Sequence, residues 1–322
     1  MTPNRTERGK WIFGGLVLFA LWFVLCRQLS GEWSGNEQYS YGWFVPFFAA
    51  FLFWLRWEER PQEEENVQRP TSNVQHPIKG KAIAVGIAVL ALVILVPVRL
   101  FEVGNPDWRP LGWVHAAVVV TVTLVVIWFA GGNAWLRHFA FPVCFIFVAV
   151  PWISAIEEPI VQGLMRIVAA AATETIGLFG IPAQLEGSLI RVSTGLVGVS
   201  EACSGVRSLQ TSLMIGLLFG ELKRFSIARR ILLVIGALLI ALLANFGRAL
   251  FLVWVAATQN VSAVDRWHDI AGYTIVAIVF FGSLLLAKLL DRDGKVAVTQ
   301  RDSARPGFQS RKAKVENEAS DE

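Results

Sequence analysis

Three residues of this chain carry types suited to acyl-transfer chemistry: Cys203, Arg248 and His268. Each stands at the edge of a long apolar run, where a polar or reactive side chain is costly and marks a functional site by default. A thiol, a guanidinium and an imidazole at one depth make a nucleophile, a charge stabiliser and a proton carrier. Cys203 sits in Glu201-Ala202-Cys203-Ser204-Gly205-Val206-Arg207. On a continuous helix Arg207 falls one turn from Cys203, on the same face. A neighbouring positive charge and a helix N-terminus both favour the thiolate. The thiol also has bland readings, an inert buried cysteine or a disulfide with Cys26 in an oxidising compartment.

Arg248 is the one charge between Ile231 and Ala257. It stands about 25 Å along that helix from Ile231 at about 1.5 Å per residue. Asn245 is i, i+3 to it and shares its face. An arginine that snorkels to headgroups is the plain alternative, and the Asn-x-x-Arg pair argues against it. His268 follows Arg266-Trp267, and histidine is the side chain most easily tuned to move protons near neutral pH. Of the other histidines, His76 and His138 fall at the opposite depth. His115 lies near the right one but has no polar neighbours in its own span.

The elements that must position these residues are membrane helices. The chain has 322 residues, 54% hydrophobic and 17% charged, with 13 Trp and 22 Phe. The apolar residues gather into runs near the roughly 20 residues a helix needs to cross a bilayer. The pattern predicts an all-α polytopic transmembrane bundle of about eight spans: 11–29, 39–55, 82–100, 111–130, 134–153, 203–220, 231–257 and 267–290. The basic start (Arg5, Arg8, Lys10) lacks a small-residue cleavage site, so the first run reads as a retained span. Residues 1–290 form the expected membrane domain. Residues 291–322 are polar and are expected to be a disordered tail.

Lys and Arg set the orientation. With the N-terminus cytoplasmic, 21 of the 29 fall in inside segments. Six fall outside: Arg27, Arg99, Arg109, Arg166, Arg191 and Arg266. Both termini are therefore expected on the cytoplasmic side of the plasma (inner) membrane, with the three reactive residues at the extracytoplasmic rim. The long outside segment begins with helical periodicity over 157–179. Ile160, Leu164, Val168, Ala171 and Thr175 form one side; Glu158, Gln162 and Arg166 form another. This predicts an amphipathic helix on the outer surface. A hairpin follows, Ala183–Glu186 and Leu189–Val192, around Gly187-Ser188, with Gly placed for a type II′ turn. No C-x-x-C occurs, and no metal or cofactor constellation is present in the sequence. A nucleic-acid partner is not expected.

The segments Glu201–Leu209 (EACSGVRSL), Asn245–Arg248 (NFGR) and His268–Gly272 (HDIAG) resemble the signature blocks of the exosortase/archaeosortase family. Weaker similarity covers Tyr41-Gly42 to Trp54-Leu55, Phe141-Pro142 to Pro151-Trp152, and Glu157-Glu158-Pro159. Tyr41 stands where the early block often has His. The resemblance implies an integral-membrane cysteine peptidase or transpeptidase. Its substrates would be exported proteins bearing a C-terminal motif, such as Pro-Glu-Pro, then a hydrophobic helix and a basic tail. Cys203 would be the nucleophile, His268 the proton carrier and Arg248 the charge stabiliser, with Asn245, Ser204 and Arg207 in support. Two rivals remain at this point: a serine-type intramembrane peptidase using Ser204 with His268, and a transporter or envelope-assembly factor binding an anion at Arg248.

Overall fold

The computed structural model describes residues 5–61, 78–198 and 205–303. Its elements in order are α1 (Arg5–Gly35), α2 (Val45–Glu58), α3 (Ile78–Gly104), α4 (Arg109–Cys144), α5 (Ser154–Leu178), β1 (Ala183–Glu186), β2 (Leu189–Val192), β3 (Gly195–Gly198), α6 (Val206–Leu222), α7 (Ile227–Thr258) and α8 (Val261–Ser303). Short 3-10 segments precede α2 and follow α4. The chain divides into two compact units, residues 1–163 and 164–322.

Among the described residues, five helical segments are long and apolar enough to cross a bilayer: Gly14–Gly35, Gly80–Gly104, Arg109–Ala149, Ile227–Thr258 and Val261–Asp291. The sequence predicts about eight, and the difference has three sources. At 14 and 17 residues, α2 and α6 fall short of a full crossing length. The long α4 covers two expected spans, joined across a break at Gly131 and Gly132. There the Trp135 side chain fills the space a Cβ on Gly131 would need. The bend is thus built from two glycines and one tryptophan.

In the first unit, α3 packs on α4 through Ala91, Val118 and Val122, flanked by Leu18, Leu21 and Leu95. Trp22 Nε1 donates to Thr123 Oγ1 at 3.0 Å. The irregular stretch after α4 is held by side chains rather than by a ladder. Trp33 Nε1 donates to the Ala149 carbonyl at 2.9 Å, Tyr41 Oη to that of Val148 at 2.9 Å, and Trp113 Nε1 to that of Pro151 at 2.8 Å. These bonds satisfy carbonyls that helix termination leaves open, which matters more away from water.

In the second unit, α7 presents Leu233, Ala237, Ala241, Asn245 and Ala249 on one buried stripe at four-residue spacing. Small residues let helices approach closely. Gly216 of α6 lies against Val234 and Ala237, and Gly282 of α8 lies against Ile240. The opposite side of α7 exposes Leu232, Ile235, Leu239 and Leu243, an apolar surface suited to lipid. Asn245 therefore continues the packing stripe, and its amide enters the contact between helices.

The predicted amphipathic helix is α5. Glu158, Gln162 and Arg166 are exposed as expected. The buried side runs Val161, Met165, Val168, Ala172 and Ile176, while Ile160 is exposed. The apolar face is thus turned by about one residue from the predicted one, because Val161 rather than Ile160 begins its i, i+4 series. The hairpin strands match the expected residues, and β3 adds an antiparallel third strand in the order β1-β2-β3. Gly187 has φ 68° and Ser188 is not in the positive-φ region, the pattern of a type II′ turn. Finally, α8 runs through Ser303, into the segment expected to lack order. Each added helical residue gains a hydrogen bond once the helix exists, so a formed helix extends into polar flanks.

Candidate active site

The described parts of the three signature segments, residues 205–209, 245–248 and 268–272, come together in the α6–α7–α8 bundle. Gly205 precedes α6 with φ 88° and ψ 0°. That left-handed conformation suits glycine and stops the helix from extending backwards. α6 begins at Val206, so the helix holds Arg207, and the expected one-turn relation to Cys203 involves a residue outside the described ones. Cys203 and Ser204 lie outside the described residues, and Gly205 is the first described position after them. A Cβ on Gly205 would lie 2.6 Å from Asn245 Nδ2. The backbone two residues after Cys203 is thus packed directly on the Asn245 amide.

One turn further along α7, Arg248 reaches α8. Its Nη2 lies 2.9 Å from His268 Nε2 and 3.5 Å from the His268 carbonyl oxygen. The same Nη2 is the nearest atom to a Cβ built on Gly272, at 3.7 Å. Arginine only donates, so His268 Nε2 accepts and the ring proton sits on Nδ1. Nδ1 lies 3.3 Å from Asp269 Oδ1. The imidazole is one-third exposed and Asp269 largely so. Trp267 packs edge-on against Phe251 at 5.6 Å and braces the α7–α8 contact beside the pair. α8 starts at Val261, earlier than predicted, so His268 lies two turns inside it. Asn260 caps that start, its Oδ1 accepting from Ala263 N at 2.7 Å.

The sheet is fastened to the same bundle. Thr194 Oγ1 donates to the Ala256 carbonyl at 2.7 Å, near the C-terminus of α7. A Cβ on Gly195 would lie 3.0 Å from Val261 Cγ2. Arg191 is held by Glu186, Nε to Oε1 at 2.5 Å. This bond holds the Glu186 carboxyl below its usual range.

Two polar clusters of the first unit were not legible as such. His115 is fully buried, and its Nδ1 meets both oxygens of Glu102 at 3.0 and 3.1 Å. Glu102 also accepts from Arg99 at 2.5 Å. The partner that its own span lacks comes from α3. Glu157, also buried, accepts from Tyr39 Oη at 2.5 Å and from Arg109 and Gln38. Trp152 N donates to the same Tyr39 Oη at 2.9 Å. The available signal was Glu157 at i, i+4 to the buried Val161. His138 Nε2 bonds the Arg56 carbonyl at 2.7 Å, and His76 lies outside the described residues. Cys26 and Cys144 are free thiols. Among the described residues, no group of three or more His, Cys, Asp or Glu is arranged to hold a metal ion.

The helices, their apolar exterior and the Arg–His contact define an α-helical multi-pass membrane protein that carries a polar constellation at one end of a helix bundle. Residues 33–285 match the transmembrane exosortase family (Exosortase_EpsH), and the chain belongs to that family. Membership gives it the role of a membrane peptidase or transpeptidase in protein sorting. No curated protein and no solved structure matches the chain.

Proposed function

We propose that the protein is a cysteine peptidase or transpeptidase that cuts the C-terminal sorting signal of exported proteins at the extracytoplasmic face of the plasma membrane. The observation that carries this reading is the 2.9 Å contact between Arg248 Nη2 and His268 Nε2. It joins two of the three expected catalytic groups across α7 and α8, and Asn245 on α7 abuts Gly205. Cys203 stands two residues before Gly205 in the sequence, which supports assigning it to the same site.

The chemistry follows from these groups. The Cys203 thiol gives its proton to His268 Nε2, and the thiolate attacks the scissile carbonyl carbon. Once protonated, Nε2 is a donor and no longer accepts from Arg248. The guanidinium N–H that had bonded Nε2 then stabilises the thiolate and the oxyanion. Asp269, beside Nδ1, offsets the imidazolium charge. The C–N bond breaks as the leaving amine takes the His268 proton, leaving a thioester on Cys203. Water or an acceptor amine then attacks that thioester and releases the acyl group.

Eight crossings, with both termini cytoplasmic, fit this chemistry when the short α2 and α6, of 14 and 17 residues, cross as well. A 41-residue apolar segment would be about 60 Å long as one straight helix, twice the hydrocarbon thickness. The break at Gly131–Gly132 lets it cross twice. The family match runs through both compact units, which supports residues 1–290 as one functional domain.

The test is mass spectrometry of a co-expressed reporter ending in Pro-Glu-Pro, an apolar helix and a basic tail. Cleavage by the wild type and none by Cys203→Ala is the expected result. Cleavage retained by Cys203→Ala but lost in Ser204→Ala would hand the role to Ser204. An intact reporter with the wild type overturns the peptidase reading for that signal.

A further inference from the structure

Among the described residues the three-stranded sheet has two open edges, and they are not equivalent. Each hairpin closes with a two-residue loop, so the flanking pairs Glu186–Leu189 and Val192–Gly195 are hydrogen-bonded pairs. Bonded and non-bonded pairs alternate, which makes Ile190–Val197 the other bonded pair between β2 and β3. The backbone N–H and C=O groups of Leu196 and Gly198 therefore point away from β2. Gly198 is exposed, and with no side chain its exposure is that of its backbone. Leu196 is 41% exposed. On the other edge, Ala183 and Leu185 of β1 point outward by the same alternation.

Only one of these edges is mounted on the catalytic helices. The Thr194–Ala256 bond and the Gly195–Val261 contact fix the start of β3 to α7 and α8. β3 packs on both helices, whereas the main neighbour of β1 among the described residues is β2. β3 also ends five residues before Cys203 in the sequence. An edge of unpaired donors and acceptors is a template for an extended chain.

We infer that the outer edge of β3 binds the extended segment of the substrate polypeptide as a fourth strand, through main-chain bonds to Leu196 and Gly198. Naming that peptide as the substrate rests on the peptidase reading above. Recognition through main-chain groups tolerates varied side chains, so the edge positions a peptide for cleavage without selecting its sequence. Proline at position 196 removes the outward N–H and leaves the β2–β3 ladder whole, since proline is tolerated where an edge N–H faces outward.

The experiment uses the full-length enzyme in membranes with the same reporter. Leu196→Pro is expected to slow processing about tenfold at unchanged enzyme level, the scale of one or two lost hydrogen bonds. Leu185→Pro, on the β1 edge, is expected to stay near wild type. In a Cys203→Ala background, a benzophenone side chain at position 196 is expected to cross-link to the reporter upstream of its apolar helix, and one at position 185 is not. Absence of the cross-link at 196, equal cross-linking at 185, or full-rate processing by Leu196→Pro overturns the proposal. A cross-link at 196 with a reporter that even the wild type leaves uncut upholds the peptide-binding edge and removes the peptidase reading, so the two failures are distinct.

Discussion

Asn245 occupies the space beside Gly205 so closely that a methyl group on Gly205 would meet its amide nitrogen at 2.6 Å. Gly205 also holds φ 88°. Both facts bear on Gly205→Ala. The left-handed backbone costs a side chain about 1–2 kcal/mol, and the contact forces either α7 or the chain leading to Cys203 to move. Gly205→Ala is expected to reduce reporter cleavage at least about a hundredfold, since a shift of about 1 Å in a reacting group costs that much. Adding Asn245→Gly relieves the contact but not the backbone strain, so cleavage recovers only in part. Full activity of Gly205→Ala in the reporter assay would show that this packing does not position the nucleophile.

Arg248→Lys keeps the charge and loses the shape. The guanidinium approaches the His268 ring and its carbonyl together, which a single flexible ammonium does not reproduce. Cleavage is expected to fall about 10²–10³-fold, the range for losing an oxyanion donor. Trapping the thioester with hydroxylamine checks the cause: the acyl-enzyme should form more slowly, at unchanged protein level.

The two histidines near the candidate depth separate in the same assay. His268→Ala should abolish cleavage. His115 is locked by Glu102 inside the first unit, so His115→Gln should lower thermal stability while leaving the turnover of folded enzyme within about threefold. Its expected cost is about 1–3 kcal/mol, that of disturbing a buried polar pair. A turnover loss at His115 as large as at His268 would place the proton carrier at the wrong residue.

The sequence made the helices legible because their apolar runs exceed anything a soluble core needs, and it made Arg248 and His268 legible because charge in such runs is rare. It also located the hairpin, where Gly187 sits at the one position its turn demands. The side-chain partners were not legible. Glu102 meets His115 across two helices, and Glu157 gathers Tyr39 and Arg109 from more than forty positions away. Periodicity along one helix carries no information about which neighbour completes a polar group. The start of α6, expected near Cys203, falls at Val206 for a local reason: only the backbone reveals that Gly205 is left-handed.

The hairpin gives a pH dependence of definite sign. Arg191 lowers the Glu186 carboxyl below its ordinary value of 4.5. A depressed folded value means the contribution is complete above the unfolded value and is lost as the pH falls through the lower folded one. Both side chains are exposed, so the effect stays local and weakens with salt. Hydrogen exchange of the hairpin amides should quicken, relative to the intrinsic rate, below about pH 4 in the wild type. In Glu186→Gln it should show no such step. A step of equal size in both proteins would assign the acid sensitivity to another group.

The Arg109–Glu157 pair in the first unit tests how much a buried ion pair holds together. Glu157 is 5% exposed and collects Arg109, Tyr39 and Gln38, while Arg109 also lies 3.6 Å from Glu32. Removing only the cation leaves a buried carboxylate short of its countercharge, at a cost of about 3–5 kcal/mol. Arg109→Met should therefore lower the unfolding temperature in detergent more than Glu157→Gln, which keeps an acceptor for Tyr39. Replacing both charges, Arg109→Met with Glu157→Gln, removes the unpaired charge along with the pair. The double variant should be more stable than the sum of its single losses, by about 1–3 kcal/mol. Tryptophan fluorescence during thermal unfolding reads all four proteins. Additive losses would mean that the two residues act independently and that the neutral bonds from Tyr39 and Gln38 alone secure the start of α5.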